Sequence, residues 1–561
     1  MPADGGRGAR DMGGTSDAND IPGPGEPSRT RGRCRREPDL LRIAGGLARL
    51  TFGLRGFLRE TISPETARDT MAAKLRSRDD AFLDLLARAV FANLASPYLQ
   101  LFRAAGCEFG DAVALVRADG IEAALKRLRD AGVFVTFPEF KGQVAAVRGS
   151  RTFAFRPSDF DSPLITPSFP TSTGGTRGRP GRILIDLDHV AETAVHWAVW
   201  FETHGWLGSP LIFVTPMYPG IAVRQLRCAK LGRPFVKWFS TGKGGTPLYR
   251  AASAYVHFLA RRASGVPRPE AVRLDEMWRV AEHVAALAVA GSRPCVLTSP
   301  STAARVGLAA AERGLALDGV AFLLGGEPLT PARRATIESS GARAVATYGF
   351  SELGSVGLQC PVPIAPDAVH VLTDGIVLDA RSREAGGATV DALLVTSIRS
   401  ASPKIMINVE IGDTGVIERR PCDCLLGRLG LDQHLHTIRS FEKLTGEGAT
   451  VLGADVTMVL EEVLPRRFGG SLAHYQLVET QDPRGLPRLT LLVSPEVGPL
   501  DERAVLHTFL AELAPLRPTY RFMVDQWVQT ESVHVTRARP VPTDRGKVPA
   551  FRTLGEVRDH G

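Results

Sequence analysis

The stretch from Gly325 to Cys360 reads GGEPLTPARRATIESSGARAVATYGFSELGSVGLQC. Its order of features leaves few folds open. Leu323 and Leu324, and then Ala344, Val345 and Ala346, are short apolar runs bounded by turn signals, as buried parallel strands are. Between them Thr330 and Pro331 open a helix, with Thr as the N-cap and Pro at the first helical position. Strand, turn, helix and strand make a βαβ unit. In open α/β sheets, ligands sit beyond the carboxyl ends of such strands. The two loops that follow those ends, Gly325-Gly326-Glu327-Pro328 and Tyr348-Gly349-Phe350-Ser351-Glu352, are therefore expected to face one cleft.

The neighbouring sequence repeats the pattern. Apolar strands at 211–215, 295–297 and 320–324 alternate with helical segments, which predicts a parallel sheet flanked by helices. Residues 40–132 read as helical. Phe82, Leu85, Leu86 and Ala89 fall at helix spacing, as do Ile121, Leu125 and Leu128, and Gly132 is a C-cap candidate. A short strand at 133–136 and an ordinary turn at 137–142 are expected next. Between 390 and 420 the pattern shifts to short β segments. Past Arg439 a small unit begins, with helices at 458–464 and 502–513 and a strand at 489–493. The expected division is a disordered leader over 1–38, a large domain over 39–439 and a small domain over 440–561.

A chain of 561 residues with 44% hydrophobic and 23% charged residues can bury a large core. The net charge of +8 is modest, and no basic run is interleaved with aromatics, so no nucleic-acid partner is expected. No run of 18 apolar residues exists and the amino terminus lacks an apolar signal core, so no membrane span is expected. Seven cysteines, an odd number, argue for a reducing compartment and a cytoplasmic location. The first 38 residues are rich in Gly, Pro, Ser and Arg and cannot bury enough surface to order themselves.

A second candidate loop is Thr171-Ser172-Thr173-Gly174-Gly175-Thr176-Arg177-Gly178-Arg179-Pro180. Glycines free the backbone to point N–H groups at an anion, and hydroxyls and guanidinium groups add donors for phosphate oxygens. It is not a Walker loop, since no Gly-Lys-Ser/Thr ends it. Gly242-Lys243 fails likewise, because Gly244 follows. Cys422-Asp423-Cys424, with Cys360 and His370, would give a tetrahedral Cys3His zinc site.

The Thr/Gly/Arg loop, the Gly-Gly-Glu-Pro and Tyr-Gly-Phe-Ser-Glu segments, Gly412-Asp413, and Pro542-Thr543-Asp544-Arg545-Gly546-Lys547-Val548 stand in one order over about 165–550. Together they resemble the signature set of the adenylate-forming superfamily of acyl-CoA synthetases, in particular the phenylacetate-CoA ligase branch. The resemblance implies an α/β fold with a large amino-terminal domain of sheets and helices and a small mobile carboxyl-terminal domain. It implies a two-step reaction. A carboxylic acid and ATP give acyl-AMP and pyrophosphate, and a thioester then forms with coenzyme A. It implies that Thr173, Gly174, Gly175, Thr176, Arg177 and Gly178 cradle phosphate and that Gly325, Gly326, Glu327 and Pro328 line the adenine. Tyr348 and Gly349 would lie beside the adenine and Ser351 at the α-phosphate. Glu352 would hold Mg2+ and Asp413 the ribose hydroxyls. Arg439 would lie near nucleotide and hinge, and Lys547 would be the catalytic lysine. Some members of the branch carry a similar Cys/His arrangement. Ser351 stands where Thr is usual and keeps the hydroxyl. Arg177 and Gly181 depart from the common pattern, as does Phe441-Glu442-Lys443 at the hinge.

Three other readings compete. The acceptor thiol could be the phosphopantetheine of an acyl carrier protein instead of coenzyme A. The chain could be a non-catalytic nucleotide-binding relic. A hydrolase using Ser351 as nucleophile needs Gly two residues on, where Leu353 stands.

Overall fold

A computed structural model describes residues 37–166, 169–172, 182–216, 221–233, 235–242, 247–385, 388–440, 443–446, 449–516, 518–542, 548 and 550–552. The chain forms two units, Met1–Arg42 and Ile43–Gly561. The first described helix, Glu37–Arg59, includes residues 37 and 38 of the expected leader. Residues 1–36 lie outside the described residues.

A twelve-stranded sheet organises the larger unit. Its parallel half runs Glu270–Ala271, Lys237–Ser240, Leu211–Val214, Cys295–Thr298, Ala321–Leu324 and Arg343–Phe350. Its antiparallel half continues with Gly354–Leu358, Val369–Val371, Gln433–Ser440, Val409–Arg419, Ala388–Ser397 and Ile376–Ala385. The three central parallel strands are buried at every position. Alternate residues feed two separate cores. Ile212, Val296, Phe322, Ala344 and Ala346 enter one, and Leu211, Phe213, Cys295, Leu297, Ala321, Leu323 and Val345 enter the other. Strand side chains alternate between faces, so both faces of this sheet are covered. That is why the sequence shows continuous apolar runs there.

The helix expected after Thr330 is present as Pro331–Glu338, and the Thr330 side chain accepts from the Arg333 N–H. The strand expected at 133–136 is reduced to one bridge, Val135 to Val409. Thr136 ends it by starting a helix, Phe137–Phe140, where an ordinary turn was expected. Thr136 and Glu139 cap each other's backbone N–H groups. The helix expected at 458–464 is the middle of a longer helical run, Gly453–Met458, Val459–Val463 and Leu464–Phe468.

Residues past 453 build a third core around a four-stranded sheet, with order Val533–Arg537, Pro487–Val493, Tyr475–Gln481, Phe551–Arg552. The helices Glu502–Leu513 and Pro518–Gln529 lie beside it. Its hairpin turn meets the helix Pro331–Glu338. The Arg333 Nε donates to Gly485 O at 2.8 Å and the Thr336 hydroxyl to Arg484 O at 2.8 Å. Among the described residues, no helix is long and apolar enough to cross a membrane.

Candidate active site

The turn Tyr348 to Glu352 leaves the carboxyl end of the strand Arg343–Phe350, whose register with Gly354–Leu358 shifts at Tyr348/Gly349. A Cβ on Gly349 would lie 2.4 Å from the Gly354 carbonyl oxygen, so the hairpin closes this tightly only with glycine. Ser351 is exposed and Glu352 is buried. Both line a cavity of about 280 Å³ together with Gly326, Glu327, Pro328, Tyr348, Gly349, Asp413 and Arg439. The two loops that the βαβ reading sent to one cleft thus share one.

Tyr348 donates its hydroxyl to Asp413 Oδ2 at 2.8 Å. Burial, and then the Asp413 charge, push the Tyr348 phenol well above its ordinary pKa, so it stays a donor. Asp413 sits on the strand Val409–Arg419, which pairs with Gln433–Ser440 so that Asp413 faces Ser440 and Thr414 faces Arg439. Arg439 Nη1 lies 3.2 Å from Asp367 Oδ2, and the Thr437 and Ile438 N–H groups also donate to Asp367. This carboxylate pins the strand end that carries Arg439.

Glu352 Oε1 accepts from the Lys141 Nζ at 2.8 Å. Burial opposes the charged carboxylate. Lys141, a backbone hydrogen bond and Lys404 together overcome that cost and hold the Glu352 pKa below its ordinary value. Lys141 also lies over the rings of Phe137 and Phe140, and all three line the cavity. Sequence reasoning missed Lys141. The Thr136-x-x-Glu139 pattern with Pro138 could have signalled the helix that the sequence reading took for a turn, but nothing local signals that its end meets Glu352.

The Glu327 side chain is buried at the cavity wall. It accepts from the Ser301 hydroxyl at 2.8 Å and pairs with buried Arg333 at 3.2 Å. A Cβ on Gly325 would come within 2.6 Å of the Thr347 Oγ1, so glycine lets this loop lie against the neighbouring strand. Gly325 is not among the cavity-lining residues. The expected phosphate loop, Thr173, Gly174, Gly175, Thr176, Arg177 and Gly178, and the expected catalytic Lys547 lie outside the described residues.

Cys360, His370, Cys422 and Cys424 come together with their ligand atoms within 4.8 Å of one another. Cys360 and Cys422 sulfurs are 4.0 Å apart, and Cys424 Sγ is 3.3 Å from His370 Nε2. Tetrahedral zinc would hold such atoms roughly 3.5–3.8 Å apart. His370 Nδ1 is 2.7 Å from Leu431 O, so Nδ1 carries the proton and Nε2 faces the sulfurs with its lone pair.

No family model and no curated protein matches this chain. Solved structures do. A 2-hydroxyisobutyryl-CoA ligase in complex with 2-HIB-AMP and CoA, in the thioesterification state, is similar over 88% of this chain and 91% of its own. The identity is 15% and the TM-score 0.50. An amide bond synthetase from Marinactinospora thermotolerans is similar over 85% of this chain and 93% of its own, at 16% identity and a TM-score of 0.37. At 15% identity the likeness to the 2-hydroxyisobutyryl-CoA ligase speaks for the fold alone. The chain has the adenylate-forming synthetase fold that its sequence predicts.

Proposed function

We propose that the chain belongs to the adenylate-forming superfamily and is an acid–thiol ligase. It would activate a carboxylic acid with ATP and pass the acyl group to the thiol of coenzyme A. The observation that carries this reading is the meeting, in one cavity, of the Gly326–Pro328 loop, the Tyr348–Glu352 turn, Asp413 and Arg439.

A carboxylate is a poor acylating agent because oxide is a poor leaving group. In the first step a carboxylate oxygen attacks the α-phosphorus. The bond from that phosphorus to the pyrophosphate oxygen breaks, and pyrophosphate leaves with the electron pair. In the second step the thiol sulfur attacks the acyl carbon, the thiol gives up its proton, and AMP leaves. The first step brings a negative carboxylate to a negative phosphate, so a preorganised cation is worth about 3–4 kcal/mol there, by analogy with single oxyanion donors. Lys141 supplies one such charge at the turn, and Lys547 on the small domain would supply the other. Ser351 would donate to the α-phosphate. Asp413, oriented by Tyr348, would accept from the ribose hydroxyls, and Arg439 would flank them.

Magnesium usually binds through one or two carboxylates plus substrate phosphates. Glu352 is ionised and gives Oε1 to Lys141, so its second oxygen suits that donor set. The ion would neutralise charge on the nucleotide phosphates. The Cys360, His370, Cys422 and Cys424 set fits structural zinc in donor type and His tautomer, and would clamp the turn after Gly354–Leu358 to the segment 422–424.

Mass-spectrometric detection of acyl-AMP over a panel of carboxylic acids, followed by addition of each thiol, tests the reading. Acyl-CoA formation is expected. Acyl transfer only to a carrier-protein phosphopantetheine would replace coenzyme A as acceptor, and acyl-AMP from no acid would refute the activity.

A further inference from the structure

The floor of the Tyr348–Glu352 turn is a buried polar cluster that the proposed chemistry leaves unused. Arg399 follows the strand Ala388–Ser397 and is 4% exposed. Its Nη1 donates to Leu353 O at 3.2 Å and its Nη2 to Ser355 O at 3.1 Å. The guanidinium therefore spans the two carbonyls that close the turn carrying Ser351 and Glu352. The chain makes room for it. A Cβ on Gly375 would lie 1.9 Å from Arg399 Nε, so any side chain there would expel the guanidinium. Beside Gly375, buried Asp374 accepts from His196 Nε2 at 2.8 Å. Trp197, on the same helix Leu187–Thr203, donates its indole N–H to Ser355 Oγ at 3.2 Å. That helix also packs flush under the turn, since a Cβ on Gly354 would meet Thr193 at 3.0 Å and His189 at 3.4 Å.

This is a costly way to stabilise a core. A buried guanidinium that makes its hydrogen bonds to two carbonyl oxygens, with the charge of Asp374 nearby, still keeps part of its desolvation penalty. Arg399 Nε, Asp374 Oδ1 and His196 Nδ1 are buried with no hydrogen-bond partner. An apolar side chain would fill the space with less penalty, but it would leave both carbonyls of the turn unheld. What the arrangement secures is the path of the backbone from 353 to 355.

We propose that Arg399 is a positioning residue for the reaction. It fixes the turn 351–355 from behind and thereby sets where the Ser351 hydroxyl and the Glu352 carboxylate stand against the α-phosphate. The inference rests on the acid-activation reading and adds to it a residue that touches neither substrate. Misplacing a reacting group by about 1 Å can lower turnover on the order of 100-fold. The nucleotide base and ribose, by contrast, would be held by the Gly326–Pro328 loop and Asp413, which Arg399 does not touch.

The test compares Arg399→Met and Arg399→Lys with the wild-type chain. Three quantities are read: acid-dependent ATP–pyrophosphate exchange, the Kd for AMP, and amide hydrogen exchange over 348–358. For Arg399→Met, turnover is expected to fall about 100-fold with the Kd for AMP within about threefold, and the amides of 350–356 are expected to lose protection. Arg399→Lys, which can hold one carbonyl, is expected to fall between the two. Turnover and protection equal to wild type in either variant would overturn the proposal. So would a loss of AMP binding and turnover in step with the folded fraction, which is what a merely structural arginine gives. If Arg399→Met does not fold, Arg399→Lys carries the same comparison. A wild-type chain that exchanges pyrophosphate with no acid refutes the acid-activation reading instead. The protection of 350–356 still decides whether Arg399 holds the turn.

Discussion

Glu352 and Lys141 carry opposite charges in a nearly dry wall of the cavity, with side chains 9% and 14% exposed. Removing one partner of such a pair leaves a buried charge and costs about 3 kcal/mol or more. Lys141→Met is therefore expected to lower stability by about that amount, read as the denaturation midpoint, and to lower acid activation. Adding Glu352→Gln to it should recover most of the stability and none of the activity. The depressed Glu352 pKa fixes the pH sense. The stability that the pair contributes is present above the unfolded carboxylate pKa and is lost as pH falls through the lower folded value. Tyr348→Phe removes one donor from Asp413. A hydrogen bond of about 1 kcal/mol predicts roughly fivefold weaker AMP binding by calorimetry, with little change in stability. Neither partner of the Lys141–Glu352 pair announced the other, because 211 residues separate them. Motifs singled out Tyr348 and Asp413, which line one cavity, while nothing in the sequence signalled the hydrogen bond between them.

At the scale of elements, the signals that worked were local. Thr330-Pro331 started a helix where the sequence placed it, and the apolar runs at 211–215, 295–297 and 320–324 became central parallel strands. Where the reading slipped, tertiary contacts decided. Val135 found one bridge partner in Val409, and Thr136 spent its capacity on capping the next helix. The Cys/His cluster was legible from residue type alone, although the sequence distance from Cys360 to Cys424 hid the pairing of their elements. With zinc bound there, metal analysis is expected to return one ion per chain. Cys422→Ser should lose it, and a chelator should lower the melting temperature by several degrees without precipitation. Full stability in chelator with no bound metal would make the cluster a set of packed thiols and an imidazole.

For the whole molecule, burial of histidines sets the response to acid. His189 and His204 are pushed down to about 3 and about 4, chiefly by burial. Both stay neutral in the folded chain while the unfolded chain protonates them below about pH 6.5. Stability is therefore highest above that pH and falls as acid protonates the unfolded state, by about 2 kcal/mol per histidine at pH 5. Melting scans from pH 7.5 to 5 are expected to show this decline, and replacing His204 with Gln should reduce its slope. The 484–485 turn sits on the helix Pro331–Glu338, where Arg333 donates to Gly485 O and Thr336 to Arg484 O. That helix follows the Gly326–Pro328 loop directly, so the contact lies one turn from the cavity. The central claim is that these parts act on one phosphorus atom. The most direct measurement is acid-dependent exchange of labelled pyrophosphate into ATP by the wild-type chain and by Lys547→Ala. Exchange by the wild type that disappears in a folded Lys547→Ala variant is the expected result. Equal exchange by both would contradict it.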